Sequence, residues 1–182
     1  MIRIFVALPL LAEWKKFAFT VSEKNSSIEK ISWTPQDNLH VTLFFIGEIE
    51  ENNLEKISSV LKNIFIDKKP YSLEFESIEI KGKKSKPSMV WIKFRKSESF
   101  SLLSEKIHEA IKEFMTIEVT HKDPIPHCTL ARIKAGADIS NLDLNFSPPS
   151  NEILVDHGEL WKTVQGRDGV WYERLGLFRM RD

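Results

Sequence analysis

A short tract that occurs twice constrains the fold more than any other feature of the sequence. Residues 38–43 are Asn-Leu-His-Val-Thr-Leu, and residues 125–130 are Ile-Pro-His-Cys-Thr-Leu. The two histidines, His40 and His127, stand 87 positions apart. Because side chains alternate along a β-strand, the His and Thr of each tract share one face and their apolar neighbours share the other. The repeat therefore predicts two similar halves, each presenting a polar pair from a strand.

The spacing of apolar residues predicts a mixture of strands and helices. Three segments with helical spacing start near residues 11, 54 and 100. Strand-like segments cover residues 2–8, 38–47, 71–80, 89–94, 127–134, 153–164 and 170–180. Strands mostly joined by hairpins favour an α+β fold with antiparallel sheets. We expect residues 1–182 to form a single bilobal domain. Its two antiparallel sheets and flanking helices would be related by a pseudo-twofold axis around a central cleft.

Composition excludes several classes of protein. Lys and Arg number 26, as do Asp and Glu, so no overall positive field exists to hold long duplex nucleic acid. Cys128 is the only cysteine, which excludes a disulfide within the chain and makes redox chemistry unexpected. No apolar run approaches the roughly 20 residues of a membrane helix. The start of the sequence lacks the pattern of a secretory signal, so we expect a cytoplasmic protein. We also expect a monomer without an obligate protein partner.

The doubled His-Thr pattern suits acid-base chemistry on a phosphodiester. Imidazole titrates near neutral pH, so one histidine can act as base while the other, protonated, acts as acid. Such a pair needs no metal, and each positioned proton transfer typically contributes about 10² to 10⁴-fold in rate. The threonine hydroxyls can donate hydrogen bonds to phosphate oxygens as negative charge develops there.

On these residues the sequence resembles the RNA 2′,3′-cyclic phosphodiesterases. They are also called the 2′-5′ RNA ligase family and belong to the two-histidine phosphoesterase superfamily. Residues 4–8 look like the family's opening strand, and residues 33–47 and 126–132 are similar to its two motif regions. The resemblance implies hydrolysis of the terminal cyclic phosphate of RNA to a 2′-phosphate, with no metal and no cofactor. It also implies a reverse reaction that forms 2′-5′ linkages.

The resemblance assigns a role to each motif residue. His40 would be the proton donor to the departing 3′ oxygen, and His127 would be the proton acceptor that activates water. Thr42 and Thr129 would bind the phosphate. Arg132 matches a family arginine expected near the phosphate.

One departure from the family concerns aromatic side chains. Phe44 stands where many relatives have a basic residue, and strict alternation places it on the face of His40. We therefore expect a pocket that stacks bases more than it attracts phosphates, with Phe44, Trp33 and Trp91 as the candidate stacking rings.

Other positions fit the family less directly. Strict alternation places Arg132 on the face opposite His127, so its phosphate role requires a strand end or a β-bulge before it. His157 has no family role. The lysine-rich turn at residues 81–87 could steer RNA phosphates, although such turns are more often solvated loops.

Three alternatives remain open from the sequence. The substrate could be another 2′-linked or cyclic nucleotide, such as a 2′-5′ oligoadenylate or an ADP-ribose cyclic phosphate. The chain could be a non-catalytic module that binds RNA ends. The two tracts could also be structural, because one fold can host many functions. Turnover of these compounds would support the first alternative, and binding without product formation would support the second. Unchanged activity in histidine variants would support the third.

Overall fold

A computed structural model describes residues 1–117, 124–167 and 169–181. The helices are α1 (Ala12–Lys24), α2 (Leu54–Ile66) and α3 (Glu98–Lys112). The strands are β1 (Ile2–Pro9), β2 (Ile31–Trp33), β3 (His40–Ile49), β4 (Tyr71–Lys83), β5 (Lys86–Phe94), β6 (His127–Ile133), β7 (Glu152–Val155), β8 (His157–Gly166) and β9 (Gly169–Arg179). Asp168, between the last two predicted strands, lies outside the described residues.

The strands pair in the order β7-β4-β5-β6-β3-β1-β8-β9. The short strand β2 pairs with residues 131–133 of β6, on the edge opposite β5 and beyond the contact with β3. Every pairing in the described sheet is antiparallel. The α+β class with antiparallel strands is therefore confirmed. The short β2, with a 3₁₀ turn over Gln36–Asn38 after it, was not predicted from the sequence.

Two half-sheets meet at the centre of this order. We call β3, β1, β8 and β9 the first half-sheet, and β6, β5, β4 and β7 with β2 the second. Between β3 and β6 the only Cα pair in the described sheet is Val41 with Cys128. One cluster of buried residues nevertheless extends beneath both half-sheets. The two predicted sheets are thus joined into one path of strands. The pseudo-twofold axis stays a prediction.

The segment predicted as one strand over residues 153–164 is in fact two strands, interrupted at Asp156. β7 pairs with β4, at one end of the order, whereas β8 pairs with β1, near the other end. A single residue separates β7 from β8, so the sheet has to curl until these distant parts lie close together. Periodicity could not predict this break because both pieces alternate as strands do.

The two faces of the curled sheet differ in their contacts. Val41, Cys128 and the apolar sides of the helices form the main core on one face. Phe65 of α2 packs so closely on β8 that a Cβ at Gly158 would lie 2.3 Å from its ring. On the other face, Phe5 and Trp161 belong to a small separate cluster. The histidine motifs open onto this second, concave face.

Candidate active site

The first residues of β3 and β6 bring the two motifs together. Val41 and Cys128 are paired and buried, so their neighbours project from the other face. In this antiparallel register His40 comes beside Thr129, and Thr42 comes beside His127. A cleft of about 140 Å³ opens there. It is lined by Thr34, Asn38, His40, Thr42, His127, Thr129, Arg132 and Tyr172.

Backbone hydrogen bonds fix both imidazole rings in the same way. Nδ1 of His40 lies 2.7 Å from the carbonyl oxygen of Asn38, and Nδ1 of His127 lies 2.7 Å from that of Ile125. A carbonyl only accepts, so Nδ1–H is the donor in each case. In the neutral tautomer Nε2 is then the unprotonated nitrogen. At His40 this Nε2 is 3.0 Å from the hydroxyl of Thr42, which donates to it.

Aromatic side chains enclose His40. The ring centroids of Phe5 and Trp161 are each 5.0 Å from that of the imidazole, and the Tyr172 centroid is 5.2 Å away. Loss of contact with water lowers the pKa of His40 from 6.5 to about 4, the hydrogen bond to Asn38 opposes this effect, and the nearby His127 adds to it. His40 is therefore neutral near pH 7 when the site is empty.

His127 has a different environment from His40. Its imidazole stacks on the indole of Trp91, with centroids 3.5 Å apart and planes inclined by 16°. The amine of Lys81 lies 5.0 Å from the centroid of the same indole. Trp91 is thus in the cleft region, but one face of its indole supports His127. Base stacking by Trp91 stays a prediction.

Matching irregularities after the two threonines decide which residues reach the cleft. In β6 the pairing with β5 skips Leu130, so Leu130 and Ala131 are both buried and Arg132 returns to the face of Thr129. Arg132 accordingly lines the cleft, as the bulge considered from the sequence would allow. Its contact with phosphate stays a prediction.

The corresponding irregularity in β3 corrects the expected position of Phe44. Pairing with β1 skips Leu43, and Leu43 and Phe44 both point into the main core. Phe45 takes the concave face instead and packs against the cluster of Phe5 and Trp161. Phe44 and Phe45 both border a second cavity of about 280 Å³. Thr42 and His127 line this cavity as well, so it adjoins the cleft. Phe44 therefore does not share the face of His40, and base stacking by its ring stays a prediction.

Trp33 lies apart from the histidines. It is paired with the buried Ala131 and packs against the main core. With Phe19 of α1 it lines another cavity, of about 490 Å³. Thr34 borders both this cavity and the histidine cleft. Any base stacked on Trp33 would therefore lie beyond Thr34.

Sequence reasoning missed several residues that shape the cleft. Asn38 orients His40 through its carbonyl, and its side-chain amide donates to the carbonyl of Val170 at 2.9 Å. That bond ties the β8–β9 hairpin to the first motif. The position of Asn38 just before the motif was a usable signal. Phe5 and Tyr172 gave none, because only the pairing of distant strands places them beside His40.

The unassigned His157 lies beside a polar network next to the site, with its Nε2 3.9 Å from Oε1 of Glu159. Its Nδ1 is hydrogen-bonded to Asp156, and this bond lowers the pKa of the Asp156 carboxyl group. The buried Glu159 accepts hydrogen bonds from the indole of Trp161 at 2.6 Å and from Arg174 at 3.0 Å. Glu159 therefore holds Trp161, one of the rings that enclose His40.

Two other kinds of chemistry would involve a bound metal ion or the Cys128 thiol. Within residues 1–117, 124–167 and 169–181, no three His, Cys, Asp or Glu side chains form a group that could hold a metal ion. Burial raises the pKa of the Cys128 thiol to about 12, so the thiolate is strongly disfavoured. No helix in these same ranges is long and apolar enough to cross a membrane.

Several curated proteins are similar in sequence over most of the chain. The RNA 2′,3′-cyclic phosphodiesterase of Archaeoglobus fulgidus is 24% identical over 178 residues, which are 97% of this chain and 99% of that protein. The enzyme of the same name from Bacillus subtilis is 28% identical over 148 residues, 81% of this chain and 80% of the relative. That of Thermotoga maritima is 24% identical over 180 residues, with coverages of 95% and 92%.

Solved structures agree on the fold. A crystal structure of a Thermus thermophilus protein superimposes with a TM-score of 0.86 at 23% identity, covering 98% of each chain. The Escherichia coli LigT structure with 3′-AMP has a TM-score of 0.76 at 19% identity, covering 100% of this chain and 99% of that one. The family model described as the 2′-5′ RNA ligase superfamily matches residues 10–167, and this chain belongs to that superfamily.

Proposed function

We propose that the protein hydrolyses the 2′,3′-cyclic phosphate at the end of an RNA strand and leaves a 2′-phosphate. The observation that carries this proposal is the pair of histidines in one cleft, each with Nδ1 fixed to a backbone carbonyl, with Thr42 and Thr129 lining the same cleft. The curated relatives named as RNA 2′,3′-cyclic phosphodiesterases support the substrate. The ligation that forms 2′-5′ linkages is part of the same proposal: a 5′ hydroxyl takes the place of water, attacks the cyclic phosphate, and the 3′ oxygen leaves as a hydroxyl.

In this proposal the cyclic phosphate occupies the cleft between the two motifs. Thr42 and Thr129 donate hydrogen bonds to the non-bridging oxygens, and the guanidinium of Arg132 balances their charge. The fixed backbone geometry of both strands orients these donors before substrate arrives. The ribose and base then extend from the cleft, and the adjoining cavity beside Thr42 and His127 is one place for them.

The two histidines divide the proton transfers. His127 accepts a proton from water as the water oxygen attacks phosphorus. His40 donates a proton to the 3′ oxygen as the bond between that oxygen and phosphorus breaks. The product has a free 3′ hydroxyl and a 2′-phosphate. His40 has then lost one proton, and His127 has gained one from water. Exchange with solvent restores both rings.

The neutral state of His40 in the empty site has a consequence for binding. A phosphate anion beside the ring favours the imidazolium, and protonation of Nε2 frees the Thr42 hydroxyl to donate to phosphate instead. We therefore expect up to about one proton to be taken up when a phosphate ligand binds near neutral pH. Calorimetry of 3′-AMP binding in buffers of different ionisation enthalpy measures this number. Binding without proton uptake in wild type, or with equal uptake in His40→Gln, would contradict the expectation.

The test of the function is a turnover assay with product identification. A short RNA that ends in a 2′,3′-cyclic phosphate is incubated with the protein in the presence of EDTA. We expect a 2′-phosphate, identified by chromatography against 2′- and 3′-phosphate standards. A 3′-phosphate would reverse the assigned leaving oxygen. Absence of any turnover, with the phosphate ligand still bound, would favour the non-catalytic RNA-end binding module.

A further inference from the structure

The hairpin formed by β4 and β5 has a basic tip. Its turn and the adjoining strand ends contain Lys83, Lys84 and Lys86, all exposed. None of these three amines forms an ion pair within the residues that the structure describes. Because the whole chain has no net charge, this tip is a local concentration of positive charge rather than part of a general field.

The register of the strands connects this tip to the catalytic cleft. Arg132 on β6 is paired with Met89 on β5, and Met89 is paired with Lys81 on β4. Paired residues of neighbouring strands project from the same face, so Lys81 lies on the concave face with Arg132. Two strand spacings separate their backbones, about 10 Å. Arg132 and Lys81 therefore lie on one line from the cleft toward the hairpin tip, with Lys81 also paired to Glu79 at 3.3 Å.

The tip extends beyond the rest of the sheet. Pairing of β5 with β6 runs over residues 89–93, and pairing of β4 with β7 runs over residues 71–74. Residues 82–88, which we call the arm, have no partner strand on either outer side within the described sheet. Gly82 shapes this arm: its φ is +112°, and a Cβ would lie 2.7 Å from the carbonyl oxygen of Lys86. The arm is a formed hairpin with its lysines in solvent.

We propose that this arm, residues 82–88, binds the backbone phosphates of RNA nucleotides upstream of the cyclic end. The protein would then prefer an oligoribonucleotide to a mononucleoside cyclic phosphate. Lysine amines are point charges that contact phosphates without reading sequence, so the arm adds affinity for length and not for a base. This inference rests on the proposed function, because the cyclic end has to occupy the histidine cleft for upstream phosphates to reach the arm.

The test compares two triple variants. K83Q/K84Q/K86Q removes the basic tip, and K16Q/K24Q/K62Q removes the same charge from exposed positions of α1 and α2 on the other face of the sheet. Lys81 stays unchanged because it contacts Trp91, which supports His127. The substrates are an RNA of about twelve nucleotides with a cyclic end and cytidine 2′,3′-cyclic phosphate, assayed over a range of salt concentrations.

We expect the tip variant to lose about tenfold in kcat/KM on the oligonucleotide at low salt and to keep full activity on the mononucleotide. The slope of log(kcat/KM) against the logarithm of salt concentration, measured on the oligonucleotide, should be shallower by about two. The reason is that three contacts to phosphates of a single strand are lost. The helix variant should match wild type on both substrates. Equal effects of the two variants, or an equal loss on both substrates, would overturn the proposal.

Failure of the proposed function has a separate signature. If wild type turns over neither substrate, affinity for the same RNA ending in a 3′-phosphate is measured by fluorescence anisotropy. Weaker binding of the tip variant than of the helix variant would retain the arm as an RNA-binding surface. Equal binding of the two variants would overturn the arm as an RNA-binding surface.

Discussion

Alanine at His40 or His127 is expected to reduce kcat/KM for a cyclic-ended RNA by about 10² to 10⁴-fold each. Each substitution removes one of two proton transfers that the chemistry requires in the same turnover. Because the two rings act as a unit, the double variant should be about as slow as the slower single variant. The measurement is steady-state turnover with product identified by chromatography.

Controls separate loss of chemistry from loss of structure. His108 on α3 packs on Phe44, with ring centroids 5.9 Å apart, and does not line the histidine cleft, so His108→Ala should keep activity. His40→Ala leaves a hole between Phe5 and Trp161, and His40→Gln fills more of it. Both His40 variants should be equally inactive, with circular dichroism confirming that each is folded. Activity near wild type in any folded variant at His40 or His127 would refute the acid-base pair.

Acid is expected to destabilise the protein through His40 in particular. The folded pKa is about 4 and the ordinary value is 6.5, so between these values the unfolded chain binds the proton that the folded chain excludes. The free energy of unfolding therefore falls as the pH drops through this window. The contribution amounts to about 3 kcal/mol in total. It is fully present near neutral pH and absent below the folded pKa.

The difference between wild type and His40→Gln isolates this contribution. Carboxylates titrate in the same pH range, but they affect both proteins alike. Urea unfolding at several pH values should show the stability difference changing by about 3 kcal/mol in favour of wild type between pH 4 and pH 7. A difference independent of pH would mean that the ring of His40 is accessible to water in the folded protein.

Local patterns in the sequence predicted much of the fold and the centre of the site. The alternation in each motif placed His40 with Thr42 and His127 with Thr129 on one face, and the structure has this arrangement. Helical spacing located all three helices. These features depend on neighbours within a few positions, which a single sequence displays directly.

Features that depend on strand pairing could not be predicted from local sequence patterns. The irregularities at Leu43 and Leu130 are defined by what the partner strand skips, so Phe44 was assigned to the wrong face. The aromatic enclosure of His40 requires β8 and β9 to pair beside β1, across most of the chain. No local pattern marks Trp161 or Tyr172 as neighbours of the first motif.

The pairing of β1 with β8, far apart in the chain, also bears on how the protein folds as it is synthesised. β1 and β3 leave the ribosome early, but β8 and β9, which complete their half-sheet, are made last. Until then β1 has an unpaired edge, and His40 lacks Trp161 and Tyr172. The aromatic enclosure of the N-terminal motif is therefore completed only after the C-terminal strands have docked. A chain that stalls before β8 would have both histidines, but His40 would be without this enclosure.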